Sequence, residues 1–345
     1  MNSRKLYRWI KRESKKWGRV NRHFRENVVM FSRGAGLACS SQLRKIAGCV
    51  AGNAESNRRR LQRFVNREVD LAGFFAEWSG TLVKAVQQQE VVLVVDETKL
   101  KDRQSVMLVG LVYGGRCLPM AWRVYPANCA ADYPSEGQVD MILQLLGHVQ
   151  TGLGRMVQVR VLVDRGIGTS PALMRGIIDM GWTFLFRVTR MSKLVVEDGT
   201  DVTFYDQVQQ PGQTYAASGF VFKRRGLVPA HVRVLWGQHA KDKWALVTND
   251  PTLSGWEYAQ RMWIEEAFRD LKSFGFQLES AALDSSRRLA YLLVFLAVAY
   301  TWLIFWGASL GASAPTKKAK NGSRVRRWSL FRLGRQAFLL SCPFF

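Results

Sequence analysis

Histidine and cysteine are scarce in this 345-residue chain, at four and five residues. The cysteines (Cys39, Cys49, Cys117, Cys129 and Cys342) are odd in number and lack CxxC spacing. No histidine stands at zinc-ligand spacing to them. Neither a zinc site nor a disulfide framework is expected, and a reducing cytoplasm suits such a chain. Acidic residues are also in deficit, 27 against 50 Lys and Arg, which leaves a formal charge of +23. An excess of that size points to a polyanionic partner, most simply nucleic acid. The basic N-terminus has no continuous apolar segment, so no signal peptide is expected. No internal repeat or low-complexity block is present. What the chain does have is 48% hydrophobic and 12% aromatic residues, the composition of a folded body rather than a disordered basic tail.

One long hydrophobic run stands out, Leu289 to Leu310, 22 residues without a formal charge. It is long enough to span a bilayer and is followed by Lys317, Lys318, Lys320, Arg324, Arg326 and Arg327. Its other reading is the buried helix of a large domain.

The first 34 residues are heavily basic. From about Gln42 to Val83 the apolar spacing is helical, with Leu43, Ile46, Ala47 and Val50 on one face. A turn at Gly52 and Asn53 precedes a helix that Ser56 can cap, carrying Arg58, Arg59, Arg60 and Arg63. Helix, short turn and Arg-rich helix resemble a helix-turn-helix DNA reader; a solvated charged face is the alternative.

From Val91 the texture becomes β-branched. Val91 to Val95 reads as a buried central strand ending at Asp96. Strands are expected over 105–113 and 116–125, joined by a hairpin at Gly114 and Gly115. A helix follows over 141–149, then a strand over 157–163 ending at Asp164, a turn at Arg165 to Gly168, a helix over 171–180 and a strand over 183–188. Residues 191–242 are mixed strand and turn, including the turn sequence Lys223, Arg224, Arg225, Gly226. Trp244 to Thr248 reads as another buried strand.

Next comes a segment read as one helix from Tyr258 to Lys272. Tyr258, Arg261, Glu265 and Lys272 fall at offsets 0, 3, 7 and 14, inside a stripe about 60° wide at about 100° per residue. Ile264, Ala267, Phe268 and Leu271 form the adjoining apolar face.

A single aspartate at a strand end is ordinarily a cap or turn residue. Two of them, followed by a glutamate on a helix, in a strongly basic chain, are a different matter. Carboxylates about 5 Å apart repel by roughly 3 kcal/mol at an effective dielectric of 20, so such a cluster must be protonated, paired or metal-bound. Without histidine or cysteine the donors are hard oxygens, which favour Mg²⁺ or Mn²⁺. Asp96, Asp164 and Glu265 are the expected ligands and catalytic residues, with two ions as the chemistry would have it. Asp102, Asp140 and Glu266 are weaker candidates, Glu266 being rotated about 100° from Glu265.

The order Asp96, Asp164, Glu265, with Tyr258, Arg261 and Lys272 spaced around the last, resembles the DDE transposases of bacterial insertion sequences. It is most similar to the insertion-sequence-four group with its YREK signature. Glu97 and Thr98 after the first aspartate and Arg165 and Gly166 after the second are similar too, as is the segment from Arg326 to Gly334.

The resemblance covers roughly residues 42 to 340. It implies an α/β protein with an RNase H-like core, a mixed five-stranded sheet with helices on both faces, and a β-rich insertion. The expected divisions are a helical, basic DNA-binding region over 1–85, core over 86–190, insertion over 191–242, core again over 243–312 and a basic tail over 313–345. The tail would pack or bind DNA through Arg324, Arg326, Arg327 and Arg332.

The resemblance further implies cut-and-paste transposition by Mg²⁺-dependent cleavage and strand transfer through a hairpin. The partners would be double-stranded DNA with terminal inverted repeats, target DNA and a second copy of the chain. It makes 289–310 a buried helix of a cytoplasmic, nucleoid-associated bacterial protein. Tyr258, Arg261 and Lys272 would contact phosphates, and an aromatic such as Trp236 would stack on a flipped base; Trp244 reads as core. A transposase-derived DNA-binding regulator without cleavage activity is the alternative.

Overall fold

The computed structural model describes residues 3–341 except 69, 155–156, 282, 312–315, 319–323 and 327. Five helices open the chain: α1 (Ser3–Ser14), α2 (Arg22–Ala38), α3 (Leu43–Gly48), α4 (Ala54–Val65) and α5 (Ala72–Val86). There follow β1 (Glu90–Leu100), β2 (Gln104–Tyr113), β3 (Arg116–Pro126), α6 (Gly137–Leu153), β4 (Gln158–Val163), α7 (Arg165–Gly168), α8 (Pro171–Asp179) and β5 (Thr183–Arg187). Strands β6 (Lys193–Val195), β7 (Asp201–Thr203), β8 (Thr214–Val221), β9 (Val228–Leu235) and β10 (Trp244–Thr248) complete the sheet. After them come α9 (Trp263–Arg269), α10 (Ser286–Ser309), a small pair β11 (Thr316–Lys318) and β12 (Arg324–Arg326), and α11 (Leu330–Ser341).

The sheet order is β3-β2-β1-β4-β5-β10-β9-β8-β6-β7. β1, β4 and β5 run parallel, while β2 and β3 are antiparallel additions beyond β1. The Gly114–Gly115 hairpin holds as expected: both residues have positive φ (57° and 78°), which glycine adopts without steric cost. Nine of the ten residues of β2 are buried, so both faces of the sheet are covered. A cavity lined by Val106, Leu108, Phe268, Leu271, Leu293 and Ala297 shows α9 and α10 on one face. α6 lies against β2 and β3, and α8 against β5 and β9. This mixed α/β architecture is consistent with an RNase H-like domain.

Several expectations are corrected. The sheet has ten strands rather than the five expected, because the strands of 191–242 join it. β10 pairs with β5 on one side and β9 on the other, so one sheet of ten strands runs through core and insertion alike. Asp96 does not end its strand: β1 continues to Leu100 because Asp96 to Leu100 keep pairing with β2. Arg165 to Gly168 forms a short helix rather than a turn, and Asn53, not Ser56, caps α4 by accepting the Ser56 N–H at 2.9 Å.

The segment around Glu265 is not one helix. It begins as a 3₁₀ helix over Trp256–Met262, continues as α9, and widens into a π turn over Asp270–Phe274.

The long apolar helix α10 is buried along most of its length, the reading the resemblance implied. Phe31 and Phe64 pack on its Phe295 at centroid separations of 5.6 and 4.9 Å, so the N-terminal helices share its core. α11 crosses α10 so closely that a Cβ at Gly334 would lie 1.7 Å from the Leu303 carbonyl oxygen. Arg324 and Arg326 lie on β12, Arg327 lies outside the described residues, and Arg332 sits over the Trp328 ring at 5.3 Å.

Candidate active site

Parallel pairing of β1 with β4 sets Val95 opposite Val163. Asp96 and Asp164 each follow one of these residues, so the pairing brings both aspartates to one point of the sheet. The Glu97 N–H donates to Asp96 at 2.9 Å. Asp164 leads into α7 and accepts the Tyr258 hydroxyl at 3.0 Å.

The 3₁₀ geometry before α9 has a purpose legible in its angles. At three residues per turn, Tyr258 and Arg261 eclipse one another, and Glu265 follows one α-turn later. All three therefore face the aspartates. Lys272 falls within the π turn. It lines an apolar cavity with Thr98, Leu100, Phe268 and Leu271. Burial holds the Lys272 ammonium below its usual range despite Glu279. Among the described residues it makes no ion pair.

Arg261 is the hub. Its Nη2 lies 2.8 Å from Asp96 Oδ2 and 3.5 Å from Asp164 Oδ2, and its Nη1 donates to Glu265 Oε1. The sequence stripe drew Arg261 as a cation beside one carboxylate. The fold instead buries it among three, with its Nε lacking an acceptor among the described residues.

Burial pushes the Asp96 carboxyl up to about 6, more than Arg261 and the Glu97 N–H pull it down. Burial also raises Asp164, but the Arg165 N–H, Arg261 and Tyr258 outweigh it and hold that carboxyl below the usual range. The Tyr258 phenol is driven well up by burial and by Asp164, so it stays a donor.

A family model described as the transposase DDE domain matches residues 88–302, a span that contains Asp96, Asp164 and Glu265. The chain belongs to this family. No curated protein matches it. Proteins of this family generally use divalent metal ions. The donor set here fits such an ion chemically: three hard carboxylates meet on one positive charge, and Glu265 is 44% and Asp164 37% exposed. As they stand, no three acidic, histidine or cysteine side chains among the described residues form a ready-made metal cage, because the guanidinium occupies the point of convergence.

The other predicted contacts are scattered. Arg58 and Arg59 pair with Glu55 at 2.7 and 3.0 Å on the surface of α4. Arg60 donates to Asn27 at 2.6 Å, and Arg60 and Arg63 line a groove between α2 and α4 with His23, Glu26 and Arg67. Trp236 donates to the Ala240 carbonyl at 3.1 Å and carries Lys243 over its ring at 5.6 Å. Trp244 is half-buried, and its ring meets Tyr258 at 5.2 Å and the exposed Trp256 at 6.1 Å.

Glu266, the weaker candidate beside Glu265, joins a second assembly. Arg116 lies 3.5 Å from both Glu266 and Asp270, Arg269 pairs with Glu266 at 2.9 Å, and the Tyr300 hydroxyl donates to Asp270 at 3.3 Å. Sequence reading missed this group; the unusual Asp270 on the apolar side of the helix was its only signal.

Proposed function

We propose that this chain is a cut-and-paste DNA transposase of the insertion-sequence-four type, with Asp96, Asp164 and Glu265 as its catalytic residues. The observation that carries this reading is the meeting of those three carboxylates, from β1, the end of β4 and α9, at one guanidinium. Tyr258 and Arg261 in the spacing of the YREK signature support the group assignment; Lys272 supports it by spacing alone.

Asp96, Asp164 and Glu265 would hold Mg²⁺ (or Mn²⁺), which supplies charge neutralisation at the scissile phosphate and activation of the attacking oxygen. The chain's own residues do the rest. Tyr258 keeps Asp164 oriented and ionised, and the sheet fixes Asp96 against it. Arg261, released from the carboxylates, has the fork geometry to grip a phosphate bidentately.

In this reading water attacks a phosphodiester at the element end, and the P–O3′ bond breaks to leave a 3′-hydroxyl and a 5′-phosphate. The 3′-hydroxyl attacks a phosphodiester of the opposite strand, displacing the 3′-oxygen of the flanking DNA to form a hairpin, which a second water reopens before joining to target DNA. Binding of the terminal inverted repeats falls to the N-terminal helices, with Arg60 and Arg63 lining their groove. Two copies of the chain would pair two element ends.

The test is a Mg²⁺-dependent cleavage assay on a duplex taken from the DNA flanking the coding sequence. Wild-type protein is expected to release a 3′-hydroxyl end and a hairpin, and Asp96→Asn, Asp164→Asn and Glu265→Gln to bind without cutting. Binding without cleavage by the wild type would leave only a DNA-binding regulator and overturn the enzymatic reading.

A further inference from the structure

A second cationic region adjoins the carboxylate cluster. Beginning at Arg165, the residue after Asp164, an open groove of about 750 Å³ runs between α7, the β5–β6 connection and the turn from β8 to β9. Five cations line it, Arg165, Lys193, Lys223, Arg224 and Arg225, against the single carboxylate of Asp201. All five are exposed. Lys223 lies 3.4 Å from Asp201, whereas the other four make no ion pair among the described residues. That separates the groove from the Arg-rich surface of α4, where Glu55 already answers Arg58 and Arg59. Four positive charges without ion-pair partners along one channel repel one another, and a polyanion laid along it would relieve that repulsion and release their counterions.

The walls are tied in place. The Thr189 N–H donates to Thr169 Oγ1 at 3.2 Å, joining α7 to the β5–β6 connection, and the Thr189 and Ser192 hydroxyls meet at 3.2 Å. On the other side Phe222 takes a left-handed φ of 64°, uncommon for a bulky residue, and the Arg225 N–H closes the turn onto its carbonyl at 2.8 Å. Pairing of Leu194 with Val221 sets Lys193 across from that turn.

We propose that this groove carries the phosphodiester backbone of the DNA strand leading away from the cleavage site, with Arg165, Lys193, Arg224 and Arg225 on its phosphates. The assignment rests on the transposase reading above, since it takes DNA as the polyanion and Asp164 as part of the cutting centre. Backbone contacts of this kind carry no sequence information; they set register and orientation.

The test is fluorescence anisotropy on two labelled duplexes, one from the DNA flanking the coding sequence and one unrelated, without divalent cations and over a range of salt. Each lost phosphate contact lowers the salt slope of binding by about 0.9. The variant Lys193→Ala/Arg224→Ala/Arg225→Ala is therefore expected to lower the slope by about 3 on both duplexes. Arg224→Lys/Arg225→Lys keeps the charge and is expected to keep the slope. Should the triple variant melt early, Arg224→Ala alone, with an expected drop of about 1, decides.

An unchanged slope in a variant that melts like wild type overturns the proposal, and so does a loss confined to one sequence, which would mean base reading. The outcome is independent of the cleavage assay. A groove that holds DNA in a protein that never cuts would leave this inference standing and sink only the catalytic one.

Discussion

Two assemblies of the same chemical parts sit at opposite ends of one helical segment, and they differ in access to water. The first joins Asp96, Asp164 and Glu265 to Arg261 and Tyr258; the second joins Glu266 and Asp270 to Arg116 and Tyr300. In the first, Asp164 and Glu265 stand 37% and 44% exposed, beside a cation-lined groove. In the second, Asp270 and Arg116 retain only 10% and 11%, and Tyr300 is fully buried. Carboxylates, guanidinium and phenol do not by themselves make an active site. In the proposed reading the open assembly exchanges its arginine for a metal ion and admits a substrate. The buried one ties α9 and the π turn to β3 and α10.

The largest effect that would sharpen this contrast is on cleavage. Asp96→Asn, Asp164→Asn or Glu265→Gln is expected to slow it by about 10³-fold or more, roughly 4 kcal/mol of transition-state stabilisation. Asp270→Asn is expected to leave it within several-fold, as measured by strand-cleavage rates. An equal loss at Asp270 would erase the distinction between the assemblies.

Next in size is the effect of removing each arginine. Arg116→Met removes the cation that pulls the buried Asp270 carboxyl down, so that group must take up a proton or stay unpaired, and the variant is expected to cost about 3 kcal/mol in urea unfolding near neutral pH. Arg261→Gln frees three carboxylates that water and cations can reach. Mn²⁺ is therefore expected to raise the melting temperature of Arg261→Gln more than that of wild type, and to shift Arg116→Met no more than wild type.

A somewhat smaller effect is expected from pH. Burial pushes Asp270 up to about 6, against the pull of Arg116 and Tyr300 and with a further push from Glu266. Its folded pKa thus lies above the unfolded value of about 3.9. Its contribution to stability is fully present below about pH 4 and is lost as pH rises through about 6, a span of about 2–3 kcal/mol. Asp270→Asn should flatten that part of the stability profile; an unaltered profile would show that Asp270 is already well compensated.

The smallest effect belongs to Tyr258→Phe. It removes one hydrogen bond to a carboxylate that can turn to water, so a loss of about 1 kcal/mol in unfolding is expected. A loss several times larger would mean that the open assembly is as rigidly structural as the sealed one.

Much of this was readable residue by residue. Val91 to Val95 and Val159 to Val163 announce buried parallel strands because both faces must be apolar, and each leads straight to an aspartate. The Gly114–Gly115 hairpin was equally local. Other features depended on partners far along the chain. Nothing near Asp270 in sequence names Arg116 or Tyr300, which meet that buried carboxylate only in the fold. Asp96 looked terminal because apolarity stops there, whereas the strand is prolonged by its pairing with β2. The turns of the β-rich segment are legible locally, but only the pairing of β10 with both β5 and β9 makes the sheet continuous.

By itself, then, the sequence determined the basic charge, the alternation of buried strands and helices, and the three acidic positions with their arginine and tyrosine neighbours. These are set by composition and short-range periodicity. Tertiary structure alone decided that Arg261 stands at the meeting point of those carboxylates and that four distant cations line one groove. Each of those is a matter of distance between segments well apart in the chain, and electrostatic energy depends on distance in space, not on separation in sequence.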